Sequence, residues 1–170
     1  MKKLLFLLIL LTSGFANAQQ KLQLDTANKS LYLEAVMKFD SLKAEQIYSA
    51  TKSWFGENFK SAKEVITSDN KEGGVIVARY ISTYSMVGTN ARFYNVMKVY
   101  IKDGKAKIHI SSIENAEHDY SLESYVLKKD NTFRGMYSGL VRDVETNGSN
   151  LISSYEKYVT GFKKGKKDEW

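Results

Sequence analysis

A strict alternation of apolar residues is the first strong pattern in the chain, and it runs from Leu31 to Phe39. Successive side chains of a strand point to opposite faces of a sheet, so this segment predicts a strand with one buried and one open face. The buried side would carry Leu31, Leu33, Ala35, Met37 and Phe39, and the open side would carry Tyr32, Glu34, Val36 and Lys38.

A helical period follows over about residues 42–58, after Asp40-Ser41, whose side chains are suited to cap a helix. Ile47 and Trp54 fall on one face of this helix, and charged residues lie mainly elsewhere. An aromatic residue in an apolar stripe of this period is usually part of the core. We therefore expect Trp54 to be a core residue and not part of a site.

Four further runs predict strands, at 63–68, 75–83, 92–101 and 106–113. The Asp103-Gly104 pair between the last two predicts a tight hairpin. Residues 114–134 are polar and irregular, and an apolar stripe at helical spacing then runs from Tyr137 to Phe162. This stripe predicts one long helix or two collinear ones.

The order of these elements is β-α-β-β-β-β-α, which predicts an α+β domain of two layers. In it, an antiparallel sheet of about five strands would carry both helices, including the long C-terminal one, on one face. We expect a single domain over 30–162, preceded by a polar lead-in at 19–29 and followed by a basic tail at 163–170.

The N-terminus predicts a cleaved signal peptide over residues 1–18. Lys2-Lys3 precedes the apolar run Leu4–Leu11, and Ala16-Asn17-Ala18 fits the pattern that signal peptidase cleaves. The apolar run is far shorter than the ~20 residues needed to span a bilayer. We therefore expect a protein that does not span the membrane and is exported to the periplasm, to the outer envelope or beyond.

Composition narrows the functional classes. The chain has a formal net charge of +6, but much of the excess lies in the signal segment and in the tail. Because nucleic-acid binding requires a concentrated basic patch, we expect no nucleic-acid partner. The chain contains no cysteine, which excludes disulfides, thiol catalysis and cysteine metal sites.

A resemblance to a known family rests on the segment Lys52–Ile66. Its specific part is Trp54-Phe55, then Phe59-Lys60-Ser61-Ala62-Lys63, followed by Val65-Ile66. This segment resembles the signature of a bacterial family of secreted domains of unknown function with a TBP-like fold, and the order of elements is similar to one half of the TATA-binding protein. The resemblance covers about residues 30–160. It implies a TBP-like architecture and no catalytic residues, and we expect no cofactor and no metal.

One cluster has residue types suited to chemistry. Glu114, Glu117, His118 and Asp119 combine carboxylates with an imidazole, as acid–base and metal sites do. Adjacent positions on a loop do not converge without a scaffold, so we expect a solvated loop. The second histidine, His109, is expected on the polar side of its strand.

The open face of the predicted sheet is the best candidate for a site, because it interleaves tyrosine with Lys and Arg, as recognition surfaces do. Cross-strand pairing that only stabilises a solvated sheet is the competing interpretation. The predicted binding residues are Tyr32, Val36, Arg92, Tyr94, Val96, Lys98 and Tyr100, with His109 and Arg79 beside them.

The functional expectation is a non-catalytic, envelope-associated module that binds a protein or a glycan, with a homo-oligomer as a further possibility. A carrier that holds a lipid or small molecule between the helix layer and the sheet is the alternative. A hydrolase centred on Glu117 and His118 is the third.

Overall fold

The structure is a computed structural model that describes residues 19–162 except Val87, Asp119, Asn131 and Phe133. The predicted signal peptide at 1–18 and the basic tail at 163–170 lie outside the described residues.

The described chain forms one antiparallel sheet with helices on one side of it. The sheet has six strands in the order β1-β2-β6-β5-β4-β3. The strands are β1 (Gln23–Asp25), β2 (Ser30–Lys38), β3 (Ile66–Asn70), β4 (Val75–Met86), β5 (Thr89–Lys102) and β6 (Lys105–Asn115). The helices are α1 (Ala44–Asn58), α2 (Ala62–Val65), α3 (Leu122–Val126) and α4 (Ser138–Phe162), and a 3₁₀ turn at Gly135–Tyr137 precedes the last.

The predicted α+β architecture is confirmed, and the details differ in three places. The sheet has more strands than the predicted five, because the polar lead-in contains β1. The strand predicted over 63–68 begins only at Ile66, since the residues before it form the short helix α2. The region 114–134 contains α3, whose Leu122 and Val126 are buried.

Trp54 lies at the centre of the core between α1, α4 and the sheet. Its ring is fully buried and packs edge-on against Phe55, Phe59 and Tyr155, at centroid distances of 5.0, 5.9 and 5.3 Å. The indole N–H donates to Oγ of Ser154 at 3.1 Å, so its polar atom is satisfied within the core. The prediction that Trp54 is a core residue is confirmed.

The β5–β6 hairpin is joined to the start of α1. Gly104 adopts φ 71°, as the predicted Asp-Gly turn requires, and its carbonyl accepts the N–H of Phe39 at 2.7 Å. The side chain of Asp103 accepts the N–H of Ala44 at 2.7 Å. The helix is therefore capped from a distant turn, whereas the sequence predicted a cap from Asp40 or Ser41.

The lead-in is held against α4 before it enters the sheet. The N–H of Gln20 donates to Oγ of Ser149 at 2.8 Å, and the N–H of Leu22 donates to the carboxylate of Glu145 at 3.0 Å. Lys21 forms an ion pair with the same carboxylate at 2.9 Å. Residues 19–22 are thus part of the folded domain, and we call them the N-terminal strap.

Among the residues that the structure describes, no helix is long and apolar enough to cross a bilayer.

Candidate functional site: the open face of the sheet

The residues predicted as a binding site share one surface of the fold. The helices pack on one side of the sheet, where the alternate residues of β2, β4, β5 and β6 are buried. The intervening residues point away from the helices and form the open face. The strand registers place all seven predicted residues on it: Tyr32, Val36, Arg92, Tyr94, Val96, Lys98 and Tyr100.

The registers also order the open face into rows that cross the sheet. In one row, Glu34 of β2 lies opposite His109 of β6, which lies opposite Lys98 of β5. In the next row, Val36 lies opposite Lys107, which lies opposite Tyr100. Directly opposed side chains on one face lie within contact distance of each other. The polar and aromatic groups therefore form one continuous surface.

Glu34 connects the charged groups of the two rows. Its Oε2 lies 3.1 Å from Nζ of Lys107 and 3.1 Å from Nδ1 of His109. Partial burial by itself raises the pKa of the Glu34 carboxyl, but the hydrogen bonds from Lys107 and His109 outweigh burial and lower that pKa. Glu34 is consequently held as a carboxylate at neutral pH.

Aromatic rings on the open face are held by neighbouring side chains. The imidazole of His109 stacks on the ring of Tyr32 at a centroid distance of 5.0 Å. The guanidinium of Arg79 lies 4.2 Å from the centroid of Tyr94, and Nζ of Lys107 lies 5.1 Å from that of Tyr100. Such cation–π contacts orient a ring and keep its cation on the surface.

Apolar groups are exposed between the charges. Val36 is 60% exposed, Ile81 41% and Tyr100 36%. Val96 is half-buried on the same face. The face therefore combines fixed rings and cations with aliphatic surface in contact with solvent.

A β-bulge shapes this surface where β5 pairs with β6 between Tyr94 and Val96. The extra residue lies in β6, where Ser112 and Ile113 together lie opposite Asn95 of β5. The side chain of Asn95 is buried on the helix side. Its Oδ1 accepts the hydroxyl proton of Tyr84 at 2.9 Å, and its amide donates to the carbonyl of Phe93 at 3.1 Å. A bulge increases local strand twist, so Tyr94 lies on a more strongly twisted part of the face than Tyr100.

The acidic and histidine loop does not form a site in the described residues. The backbone N–H groups of Glu117 and His118 both donate to Oδ1 of Asn115, at 2.8 and 3.1 Å, which makes this segment a tight turn. The side chains of Glu117 and His118 are exposed, and Asp119 lies outside the described residues. No group of three metal-ligating side chains occurs within the described part of the chain.

The space between the helix layer and the sheet is filled by large side chains. Trp54, Tyr155, Phe55, Phe93 and Met97 are fully buried there. The hydroxyl groups of Tyr155 and Thr51 lie 2.9 Å apart, and burial raises the pKa of Tyr155. This packing gives no support to a carrier with its ligand between the layers.

The sequence-based site omitted Glu34, Lys107 and Ile81, which the structure places among the seven predicted residues. The signal for Glu34 and Lys107 was the same alternation that predicted Tyr32 and Tyr100. The exposure of Ile81 was harder to predict, because an apolar residue in a strand normally indicates a core position.

Comparison with known proteins agrees with this architecture. Residues 34–115, from β2 to the end of β6, match the model of a family described as a domain of unknown function (DUF4468) with TBP-like fold. The predicted resemblance to a bacterial family of domains of unknown function with a TBP-like fold is confirmed. The DUF4468 description names no catalytic activity. A search of curated proteins found no match.

Two crystal structures show the same fold. A DUF4468 family protein from Bacteroides ovatus ATCC 8483 superposes with a TM-score of 0.60 at 16% identity, covering 76% of this chain and 86% of its own. A TBP-like protein from Parabacteroides distasonis ATCC 8503 superposes with a TM-score of 0.56 at 13% identity, covering 76% of this chain and 94% of its own. At these identities the likeness establishes the fold and carries no function with it.

Proposed function

We propose that the protein is an exported, non-catalytic binding module of the bacterial envelope, and that its open sheet face binds the partner. The observation that carries the proposal is the combination of oriented rings and exposed aliphatic groups on one face. Tyr94 and Tyr100 are each in contact with a cation, and Ile81 and Val36 lie exposed on the same face. Tyrosine and arginine of this kind are enriched at protein interfaces.

A protein partner fits the face better than a glycan. Sugars bind by stacking on rings and by hydrogen bonds to polar groups. The exposed aliphatic side chains of Val36 and Ile81 offer little to a glycan, whereas burial of such groups stabilises a protein interface. A glycan is the alternative that the experiment below separates.

The ionisation of Glu34 argues against a role as a general acid. A general acid must hold its proton near neutral pH, which requires a raised pKa. Lys107 and His109 instead lower the pKa of Glu34, and they occupy its Oε2. The carboxylate therefore serves to hold the side chains of Lys107 and His109 on the face.

Partner capture tests the proposal. The purified protein is immobilised and exposed to an envelope extract, and the bound material is identified by mass spectrometry. The double variant Tyr94→Ala with Tyr100→Ala should remain folded, losing about 1–2 kcal/mol from cross-strand pairs, while capture falls at least about tenfold. Tyr120→Ala is the matched control, because Tyr120 is 57% exposed and lies on the loop after β6.

Undiminished capture by the folded double variant would overturn the sheet-face proposal. Capture that survives protease treatment of the extract but not glycosidase treatment would replace the protein partner with a glycan. Cell fractionation tests export separately, and recovery of the protein in the cytoplasm with residues 1–18 intact would contradict that part.

A further inference from the structure

One edge of the sheet is free over the second half of β2. Strand β1 pairs only with Ser30, Leu31 and Tyr32, and β6 pairs with Leu33 to Lys38 on the other side. Among residues 19–162, no strand pairs with the outer edge of β2 beyond Tyr32. We call the segment 33–38 the free edge of β2.

The backbone groups that face outward can be assigned from the hydrogen bonds. The N–H of Phe39 donates to Gly104 next to β6, and the N–H of Leu31 donates to Glu123 of α3. Backbone N–H and C=O groups alternate in direction along a strand, so odd-numbered residues face β6. The N–H and C=O groups of Glu34, Val36 and Lys38 therefore point to the free edge.

The N-terminal strap keeps this edge open. If β1 continued antiparallel to β2 before Gln23, Lys21 would lie opposite Glu34. Instead, Glu145 of α4 binds both the side chain of Lys21 and the N–H of Leu22. The chain is drawn to the helix side and leaves the edge uncovered.

We propose that two copies of this chain associate through this edge, with β2 of one copy antiparallel to β2 of the other and Val36 opposite Val36. In this arrangement Val36, which is 60% exposed in the single chain, is buried against its own copy. Glu34 lies opposite Lys38 of the second copy, and Lys38 lies opposite its Glu34. The outward backbone groups of the three residues form about six inter-strand hydrogen bonds.

Charge fixes the register of this pairing. A two-fold pairing that uses the outward backbone groups can be centred on Glu34, Val36 or Lys38, or on Ala35 or Met37 between them. A centre at Ala35 or Met37 places Val36 opposite Glu34 or Lys38, which sets a charge against a valine. Centring it on Glu34 or on Lys38 places like charges directly opposite each other, which is destabilising. Only the centre at Val36 pairs opposite charges and joins the two exposed valines. Lys107 and His109 both contact Oε2 of Glu34, and Lys38 of the second copy would bind Oε1.

The boundaries of the strand suit this register. With Val36 at the centre, Phe39 of the second copy lies opposite Leu33, and β1 begins just beyond, opposite Tyr32. The second chain turns away there, since the N–H of Leu42 donates to the carbonyl of Phe39. The two sheets become one, and both open faces lie on the same side. The inference does not rest on what the open face binds.

The short edge predicts a weak dimer. An interface of this size lies well below the usual area of a stable complex, so we expect a dissociation constant of micromolar or weaker. Charges that oppose pairing also protect natural sheet edges against association. Here the two charges have opposite signs at equal distances from Val36, which favours one paired arrangement.

Charge reversal and rescue test the proposal by sedimentation of the purified protein over a range of concentrations. Lys38→Glu places two carboxylates opposite each other on both sides of the axis, and should weaken dimerisation at least about tenfold. Adding Glu34→Lys to it restores opposite charges and should restore the dimer. Lys129→Glu is the matched control, because it makes the same change of charge at an exposed position outside the sheet. Thermal unfolding of each variant verifies that it is folded.

Amide hydrogen exchange gives a second readout that does not depend on any variant. The amides of Ala35 and Met37 face β6 and should be protected at every concentration. Those of Glu34, Val36 and Lys38 should gain protection only as the dimer forms. A protein that stays monomeric at about 1 mM would overturn the proposal. So would a dimer that Lys38→Glu leaves unchanged, or one in which these three amides stay unprotected.

Discussion

A Cβ atom built at Gly148 of α4 would overlap Cδ1 of Leu33 on β2. Gly148 is buried, and Leu33 is only 1% exposed. The absence of a side chain at Gly148 therefore lets the long helix approach the sheet over the strand that carries the free edge.

Replacing Gly148 by alanine should lower the free energy of unfolding by about 1–3 kcal/mol, because a methyl group is forced into a filled site. The intrinsic helix preference of alanine over glycine acts in the opposite direction, by about 1 kcal/mol. Urea unfolding measures the net effect. Gly56→Ala in α1 is the control, since a Cβ there meets nothing within 4 Å and should stabilise by about 0.5–1 kcal/mol. If both variants were stabilised equally, the Leu33 side chain would move aside without cost, and the close packing at Gly148 would not limit stability.

Truncating Trp54 to alanine should cost about 3–5 kcal/mol of folding stability, as large buried truncations do. The ring is fully buried and contacts three other aromatic rings, so little of the cavity can collapse. Tyr120→Ala should change stability by no more than about 0.5 kcal/mol. A Trp54→Ala protein that unfolds at the wild-type denaturant concentration yet loses its partner would assign the ring to a site.

The strap should depend on Glu145 far more than on Lys21. Glu145→Ala leaves the buried N–H of Leu22 without its acceptor and should cost about 1–3 kcal/mol. Lys21→Ala removes a pair whose lysine side chain is 69% exposed, which is worth no more than about 1 kcal/mol. Exchange of the Leu22 amide measures the local effect, and it should accelerate only in Glu145→Ala. If exchange of the Leu22 amide accelerated equally in both variants, the ion pair of Lys21 with Glu145 would be the contact that stabilises the strap.

The contribution of Glu34 to stability should vanish in acid. Its pKa is lower in the folded protein than in the unfolded chain, so the unfolded chain binds the proton first as the pH falls. The stabilisation is complete above the ordinary glutamate pKa of about 4.3, and it is lost as the pH falls through the lower folded value. Urea unfolding of wild type and Glu34→Gln should therefore differ at neutral pH and converge in acid. If the difference in unfolding free energy between the two proteins grew as the pH fell, the pKa of Glu34 would not be lowered in the folded protein.

Alternation was the most informative signal in the sequence. It placed both faces of β2 and β5 correctly, because a buried face imposes a period of two over many residues. It also placed Tyr94 and Tyr100 on the open face, although Glu34 of β2 was left out of the predicted site. The long helix α4 was predicted for the same reason, with its period extending over 25 residues.

Short elements held by distant partners could not be predicted in this way. Strand β1 is only three residues long and exists because it pairs with β2, while the strap before it depends on Glu145. The contacts of Glu34 likewise join β2 to Lys107 and His109 of β6, far along the chain. Local sequence patterns carry no information about such pairings.

The pairing of β2 with β6 sets the order in which the molecule can fold. Strands β4, β5 and β6 follow one another through short turns and can pair soon after synthesis. Leu33 of β2, in contrast, cannot pair with Ile110 until β6 has been synthesised. Closing so long a loop is slow, and we expect refolding in the millisecond-to-second range that is typical of β-rich chains. Until β6 is complete, β2 lacks its main partner, so an apolar strand is left available to other chains. Aggregation of newly made protein should therefore begin at β2.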